Sequence, residues 1–230
     1  MTDHQISDWF PIEVETAPNP EFSMIWLHGL GAEASDLAAI APTLGSGQAV
    51  PIRFIFPQAP HTPITMNKGY VSRAWYDIIS ADKMNRKIDE DGLLATREKV
   101  RELIQNEINR GIPATHIFLA GFSQGGAVAY FCALTHPETL AGVIALSTYL
   151  PTTQLIFEEA TTANLTIPIL AAHGTEDEVV TPEFGAQAIT TLKARGYHPE
   201  WKTYNTDHAL CIREIRDVSR WIKKQIGNKR

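Results

Sequence analysis

Apolar residues in this chain fall into two alternating patterns. Short, nearly unbroken apolar runs lie at residues 22–27 (FSMIWL), 52–56 (IRFIF), 117–121 (IFLAG), 142–147 (GVIALS) and 167–172 (IPILAA), with a mixed run at 200–204 (EWKTY). Runs of this length predict strands, most of them covered on both faces. Between them the spacing turns helical, most clearly from Gly92 to Arg110, where Leu93, Val100, Ile104 and Ile108 share one face opposite charged residues. Gly111 and Pro113 stop that helix. Residues 124–135, 183–195 and 212–226 predict further helices, with Pro182 suited to an early helical position and Gly196 to a terminal one. Alternation of strand and helix predicts an α/β fold with a largely parallel sheet and helices on both faces. Chemistry in such a fold belongs at the carboxyl ends of the strands.

No repeat, low-complexity tract or linker divides the sequence, so residues 1–230 are expected to form one domain without a large cap, with 1–20 as a lead-in. A chain of 230 residues with 44% hydrophobic content can bury one sizeable core. The net charge of −6 leaves no basic footprint for a phosphate backbone, which argues against nucleic acid as a partner. Cys132 and Cys211 are too few and too far apart for a disulfide-stapled secreted domain and read as reduced thiols. Asp3 and Asp8 stand where a secretory leader needs a basic start, and no segment approaches the roughly 20 apolar residues of a membrane span. A soluble cytoplasmic protein without stable membrane insertion is the expectation. The C-terminal KKQIGNKR is ordinary cationic capping of a helix end rather than a lipid patch.

The segment GFSQGG follows one apolar run and precedes AVAYFCAL, which puts Ser123 at a strand-to-helix junction. A serine exposed on so sharp a turn needs small neighbours two residues away on each side, and Gly121 and Gly125 meet that need. The amides opening the next helix then point at the serine and favour developing negative charge. GxSxG alone is a short pattern that chance also produces; the junction is what turns it into a candidate nucleophile.

A serine hydroxyl needs a general base oriented by a carboxylate, and in this architecture the chain order is serine, acid, histidine. Downstream of Ser123 lie His136, His173, His198 and His208. His208 follows EWKTY at the carboxyl end of its strand and is the preferred base. His173 also ends a strand but precedes the nearest acids, and it stands as the rival. His136, at a helix end, and His198, ahead of its strand, read as structural. The loop HGTEDEVV offers Glu176, Asp177 and Glu178 as the acid, with Asp207 ranked below because it adjoins the base.

Acyl transfer also requires N–H donors for an oxyanion. Gln124, directly after Ser123, supplies one through its backbone, and the glycine-rich loop after FSMIWL supplies the other at Leu30. His28 reads as a brace for that loop. The loop lacks the spacings of a nucleotide cradle, and no HExxH, CxxC or histidine pair at helical spacing calls for a metal. No cofactor is expected.

With these residues in place, the sequence resembles the acyl-protein thioesterase and carboxylesterase (phospholipase/carboxylesterase) family of α/β-hydrolases. The resemblance rests on WLHGLGA (26–32), FPQAP (56–60), MNKGY and RAWYD (66–77), GIP with GFSQGGA (111–127), LAGVIALSTYLP (140–151), HGTEDEVV (173–180) and YNTDHALC (204–211), in the family's order along nearly the whole chain. It implies Ser123 as nucleophile, Asp177 as acid, His208 as base, and Leu30 and Gln124 as backbone donors. It also implies an acyl groove around residues 66–77 with Trp75 as an apolar wall, although Trp75 equally suits an ordinary core position. The substrate implied is a small-molecule or lipid-like acyl ester or thioester, acylated protein included; lysophospholipase action with the same triad is the first alternative and a non-catalytic binding scaffold the second. Exposed groove residues suit a lipid or the partner of a homodimer. Ala32 replaces the family's usual acidic residue after HGLG, and TDH replaces its glycine-rich GMGH around the base.

Overall fold

The structure is a computed structural model describing residues 10–82 and 85–229; Asp3 and Asp8 lie outside them. The chain begins with β1 (Ile12–Glu15), β2 (Phe22–Leu27), the short helices α1 (Ala34–Ala38) and α2 (Ala41–Gly45), and β3 (Ile52–Phe56). Two small hairpins follow, β4 (His61–Ile64) with β5 (Tyr70–Arg73) and β6 (Ile78–Ala81) with β7 (Arg86–Ile88). Then come α3 (Glu90–Asn109), β8 (Ile117–Phe122), α4 (Gln124–Leu134), β9 (Gly142–Leu146), α5 (Thr153–Glu159), β10 (Ile169–Gly174), α6 (Pro182–Ala194), β11 (Glu200–Tyr204) and α7 (Ile212–Gly227).

The main sheet runs β1-β3-β2-β8-β9-β10-β11, parallel throughout except for β1. The six strands and four helices expected from the apolar pattern are all present. Several boundaries move by a residue or two, the clearest being the run at 167–172, whose strand spans Ile169–Gly174 and starts after Pro168, which has no N–H to give the ladder. The expected lead-in holds more than a lead-in, since β1 pairs with β3 from Ile12 opposite Phe56 to Glu15 opposite Arg53. Its burial is slight, and ion pairs fasten it instead: Glu13 and Glu15 bind the buried Arg53, which also meets Glu107 of α3. An edge strand held by charge carries no hydrophobic signature, which is why the pattern passed over it.

Alternate residues along each strand feed opposite layers. Ile25, Leu27, Leu119 and Val143 pack under α3, α4 and α6, while Met24, Trp26, Phe118 and Ile144 pack under α1, α2 and α7. Each such side chain contributes roughly 1.5–3 kcal/mol when taken fully from water. Helix α4 is buried along its whole length, as a helix apolar on every side must be. After β2 the chain turns to β3 on one side and later returns as β8 on the other. That reversal opens a crevice at the carboxyl ends of β2 and β8. Among the described residues no helix is long and apolar enough to cross a membrane.

Candidate active site

Ser123 occupies the junction between β8 and α4 with φ 53° and ψ −123°, a conformation that costs a non-glycine residue on the order of 1–3 kcal/mol. Its neighbours hold it there. Its N–H donates to Leu146 O at 2.9 Å, and its carbonyl accepts from the Thr148 hydroxyl at 2.6 Å and from the Gly126 and Ala127 N–H groups. The flanking glycines are required sterically: a Cβ on Gly121 would stand 2.1 Å from Gly125 O, and one on Gly125 would stand 2.2 Å from Leu27 O. The strained turn is thus packed directly onto the end of β2.

That packing brings the β2 loop to the serine. A Cβ on Gly29 would lie 3.3 Å from Ser123 Cβ, so the loop after β2 borders the serine side chain at Gly29. Neither the Leu30 nor the Gln124 N–H has a hydrogen-bond acceptor among the described residues, which leaves both free for a developing oxyanion. His28 braces the loop as expected. It is buried, accepts from Ala59 N–H at Nε2 (3.0 Å) and therefore donates from Nδ1 to Gly29 O (2.8 Å). Burial lowers its pKa and keeps it neutral in that tautomer.

Asp177 and His208 lie across the crevice, after β10 and β11. His208 Nδ1 donates to Asp177 Oδ2 at 2.7 Å, leaving Nε2 with the lone pair a base requires. Asp177 Oδ1 accepts from the Val179 and Val180 N–H groups, both at 2.9 Å. Burial acts to raise this carboxyl, but hydrogen bonds from His173, His208 and Val180 outweigh it and hold the group well below the carboxylate range. Of the acids offered by sequence, Asp177 is the one that meets the histidine. Asp207 is exposed, and its side-chain contact is with Thr206.

His173, the rival base, is fully buried and does not face the serine, because its Nε2 donates to Val180 O at 2.7 Å and lies 3.5 Å from Asp177 Oδ2. It steadies the acid loop. His136 is also buried, as a structural histidine would be. Ser123 Oγ makes no hydrogen bond among the described residues. Phe122 packs beside His208 with ring centroids 4.8 Å apart, keeping the imidazole next to the serine turn.

Two features escaped the sequence. The Gln124 side chain, in addition to the backbone donor expected of that residue, accepts from Trp75 N–H at 2.9 Å and donates to Tyr76 O at 2.8 Å. Trp75 in turn donates its indole N–H to His28 O at 2.7 Å. Trp75 is only 2% exposed, so it offers a ligand little surface and ties the loop after β2 to the start of α4. This is the core reading of Trp75 rather than the groove wall. Nothing local in the sequence announces such contacts, because each partner lies about 50 positions away.

The arrangement matches known proteins along its length. The phospholipase/carboxylesterase family profile covers residues 12–226. Acyl-protein thioesterase 1 of Mycosarcoma maydis is 34% identical over 94% of this chain and 95% of its own. Carboxylesterase SOBER1 of Arabidopsis thaliana is 34% identical over 88% and 90%. The crystal structure of SOBER1 superposes with a TM-score of 0.82 at 32% identity, covering 89% of this chain and 99% of that one. Zea mays acyl-protein thioesterase 2 gives 0.80 at 26% identity over 94% and 99%. With the family profile matched over nearly its whole length and relatives at 34% identity, this chain belongs to the phospholipase/carboxylesterase family.

Proposed function

We propose that the protein is a serine hydrolase that cleaves acyl esters and thioesters through an acyl-enzyme on Ser123. The observation that carries the reading is the 2.7 Å bond from His208 Nδ1 to an Asp177 kept ionised, across the crevice from a serine held at positive φ. In the first step Ser123 Oγ attacks the acyl carbonyl carbon while its proton passes to His208 Nε2. The carbonyl electrons move to oxygen, where the Leu30 and Gln124 N–H groups receive them. Asp177 stays ionised and steadies the imidazolium. Collapse of the oxyanion expels the alcohol or thiol, which takes the proton from His208. Water then repeats the sequence against the acyl-enzyme and frees the acid. Trp75, His28 and Gln124 act at one remove, holding the two N–H donors at a fixed spacing.

Relatives named for acyl-protein thioesterase and carboxylesterase activity support acyl carriers that include acylated proteins. We place the activity in the cytoplasm, where the free thiols of Cys132 and Cys211 are at home. Replacing Ser123 by alanine should lower kcat for p-nitrophenyl acetate by about 10⁴-fold or more, the scale of triad nucleophiles, and abolish labelling by a fluorophosphonate probe. Near-wild-type turnover by the folded Ser123→Ala protein would overturn the proposal.

A further inference from the structure

A cleft of about 770 Å³ lies between the β6–β7 hairpin, the segment from Tyr149 to Thr153 and α6. Ser123, Leu30 and His208 are not among its walls. Tyr149 and Phe184 link the cleft to the surroundings of the serine turn. On one side they line the cleft; on the other they pack with Ala127 and Val180 in a small apolar cluster apart from the two main layers. Ala127 lies in the first turn after Ser123 and donates its N–H to Ser123 O, while Val180 N–H binds Asp177. An acyl chain running from Ser123 toward the cleft would therefore cross these two rings.

Arg86, at the start of β7, covers that crossing. Its guanidinium carbon lies 4.8 Å from the Tyr149 ring centroid and 5.3 Å from that of Phe184, and its Nη2 donates to Val179 O at 2.7 Å. Val179 N–H is bound to Asp177 Oδ1, so one residue joins the hairpin to the acid loop. With the guanidinium in place the two rings are 3% and 7% exposed and present almost no apolar face to a passing methylene. Beyond them the cleft offers apolar wall at Ile79, Ile88, Leu150, Pro151 and Ala188, beside charged residues at the start of α3.

We propose that Arg86 is the residue that sets acyl-size preference: by clamping the β6–β7 hairpin to the acid loop over Tyr149 and Phe184, it closes the way to the cleft and favours short acyl groups. The inference rests on Ser123 being the acylated residue. Without the guanidinium the ring faces are open and continuous with the cleft, so a longer chain gains burial that the native site denies it.

The test compares kcat/KM for p-nitrophenyl octanoate with that for p-nitrophenyl acetate in the full-length protein and in Arg86→Ala and Arg86→Met. Native protein should favour acetate. Arg86→Ala should raise the octanoate-to-acetate ratio at least about tenfold, as burial of even two or three more methylenes would. Arg86→Met keeps the aliphatic bulk but loses the charge and the bond to Val179 O, and should move the ratio the same way; it carries the test if the alanine variant does not fold. A native preference for octanoate overturns the inference. So does a ratio within about twofold of native in variants that melt normally and still label at Ser123, since that is less than one methylene is worth. Loss of turnover and labelling in the native protein itself is a different result, and it sinks the Ser123 reading on which the inference stands.

Discussion

Replacing Gly125 by alanine should disable the site without touching any reacting group. Helix propensity alone would make the change favourable by about 1 kcal/mol. The added Cβ, however, would stand 2.2 Å from Leu27 O, 2.5 Å from Leu27 C and 2.6 Å from His28 O. The closest of these falls about 1.2 Å short of ordinary contact at 3.4 Å, and all are backbone atoms that cannot rotate aside. Either the start of α4 or the end of β2 must retreat by about 1 Å. Those two segments carry the Gln124 and Leu30 N–H groups. A displacement of about 1 Å commonly costs on the order of 100-fold in turnover, and overpacking costs about 1–3 kcal/mol in stability, more than propensity returns. Gly126→Ala meets the Thr148 side chain at 2.8 Å and Gly121 O at 3.0 Å, a looser fit than at Gly125, and should fall between native and Gly125→Ala. Gly227→Ala meets nothing within 4 Å and should leave turnover alone while adding up to about 1 kcal/mol. Steady-state ester hydrolysis and urea unfolding on the three variants measure both quantities. A folded Gly125→Ala protein with kcat within about threefold of native would refute the argument that this backbone contact sets the donor spacing.

Asp177→Asn can present its amide to His208 Nδ1 and force the proton onto Nε2, where no lone pair then faces the serine; kcat should drop by about 10⁴-fold, and a loss under tenfold would contradict the assigned tautomer. The same carboxylate, held far below its free value, stabilises the fold above about pH 4 and loses that contribution only as pH falls toward the folded value, so the stability gap between native and Asp177→Asn should narrow on acidification in urea titrations. Glu214 behaves oppositely. Burial pushes its carboxyl up from 4.5 to about 7 against the Cys211 N–H and the charge of His173, so stability declines as pH rises through that window, by up to about 3 kcal/mol. Glu214→Gln should remove the decline, and an equal native-to-variant difference at pH 5 and pH 7.5 would sink the assignment.

Much of this architecture was legible because its strands are buried on both faces. β8 and β9 are continuous apolar runs for that reason, β2 and β3 are broken only by the buried Ser23 and Arg53, and α3 shows one apolar stripe because only one side of it meets the sheet. The serine turn was legible because strain and close packing leave its flanking positions to glycine. The two hairpins and β1 were not, since short exposed strands bury too little to impose a pattern.

By itself the sequence determined the order of strands and helices, the parallel layering and the position of Ser123 at a junction, because burial and backbone strain restrict residue choice locally. Only the tertiary structure decided which loop carboxylate meets His208, that His173 faces Val180 instead of the serine, that Trp75 is a strut, and that Arg86 lies over Tyr149 and Phe184. Each of those depends on the direction of a side chain relative to a partner from another element. Periodicity says which face a residue occupies, but only the packed sheet brings the ends of β2, β8, β10 and β11 together and makes one pairing fit.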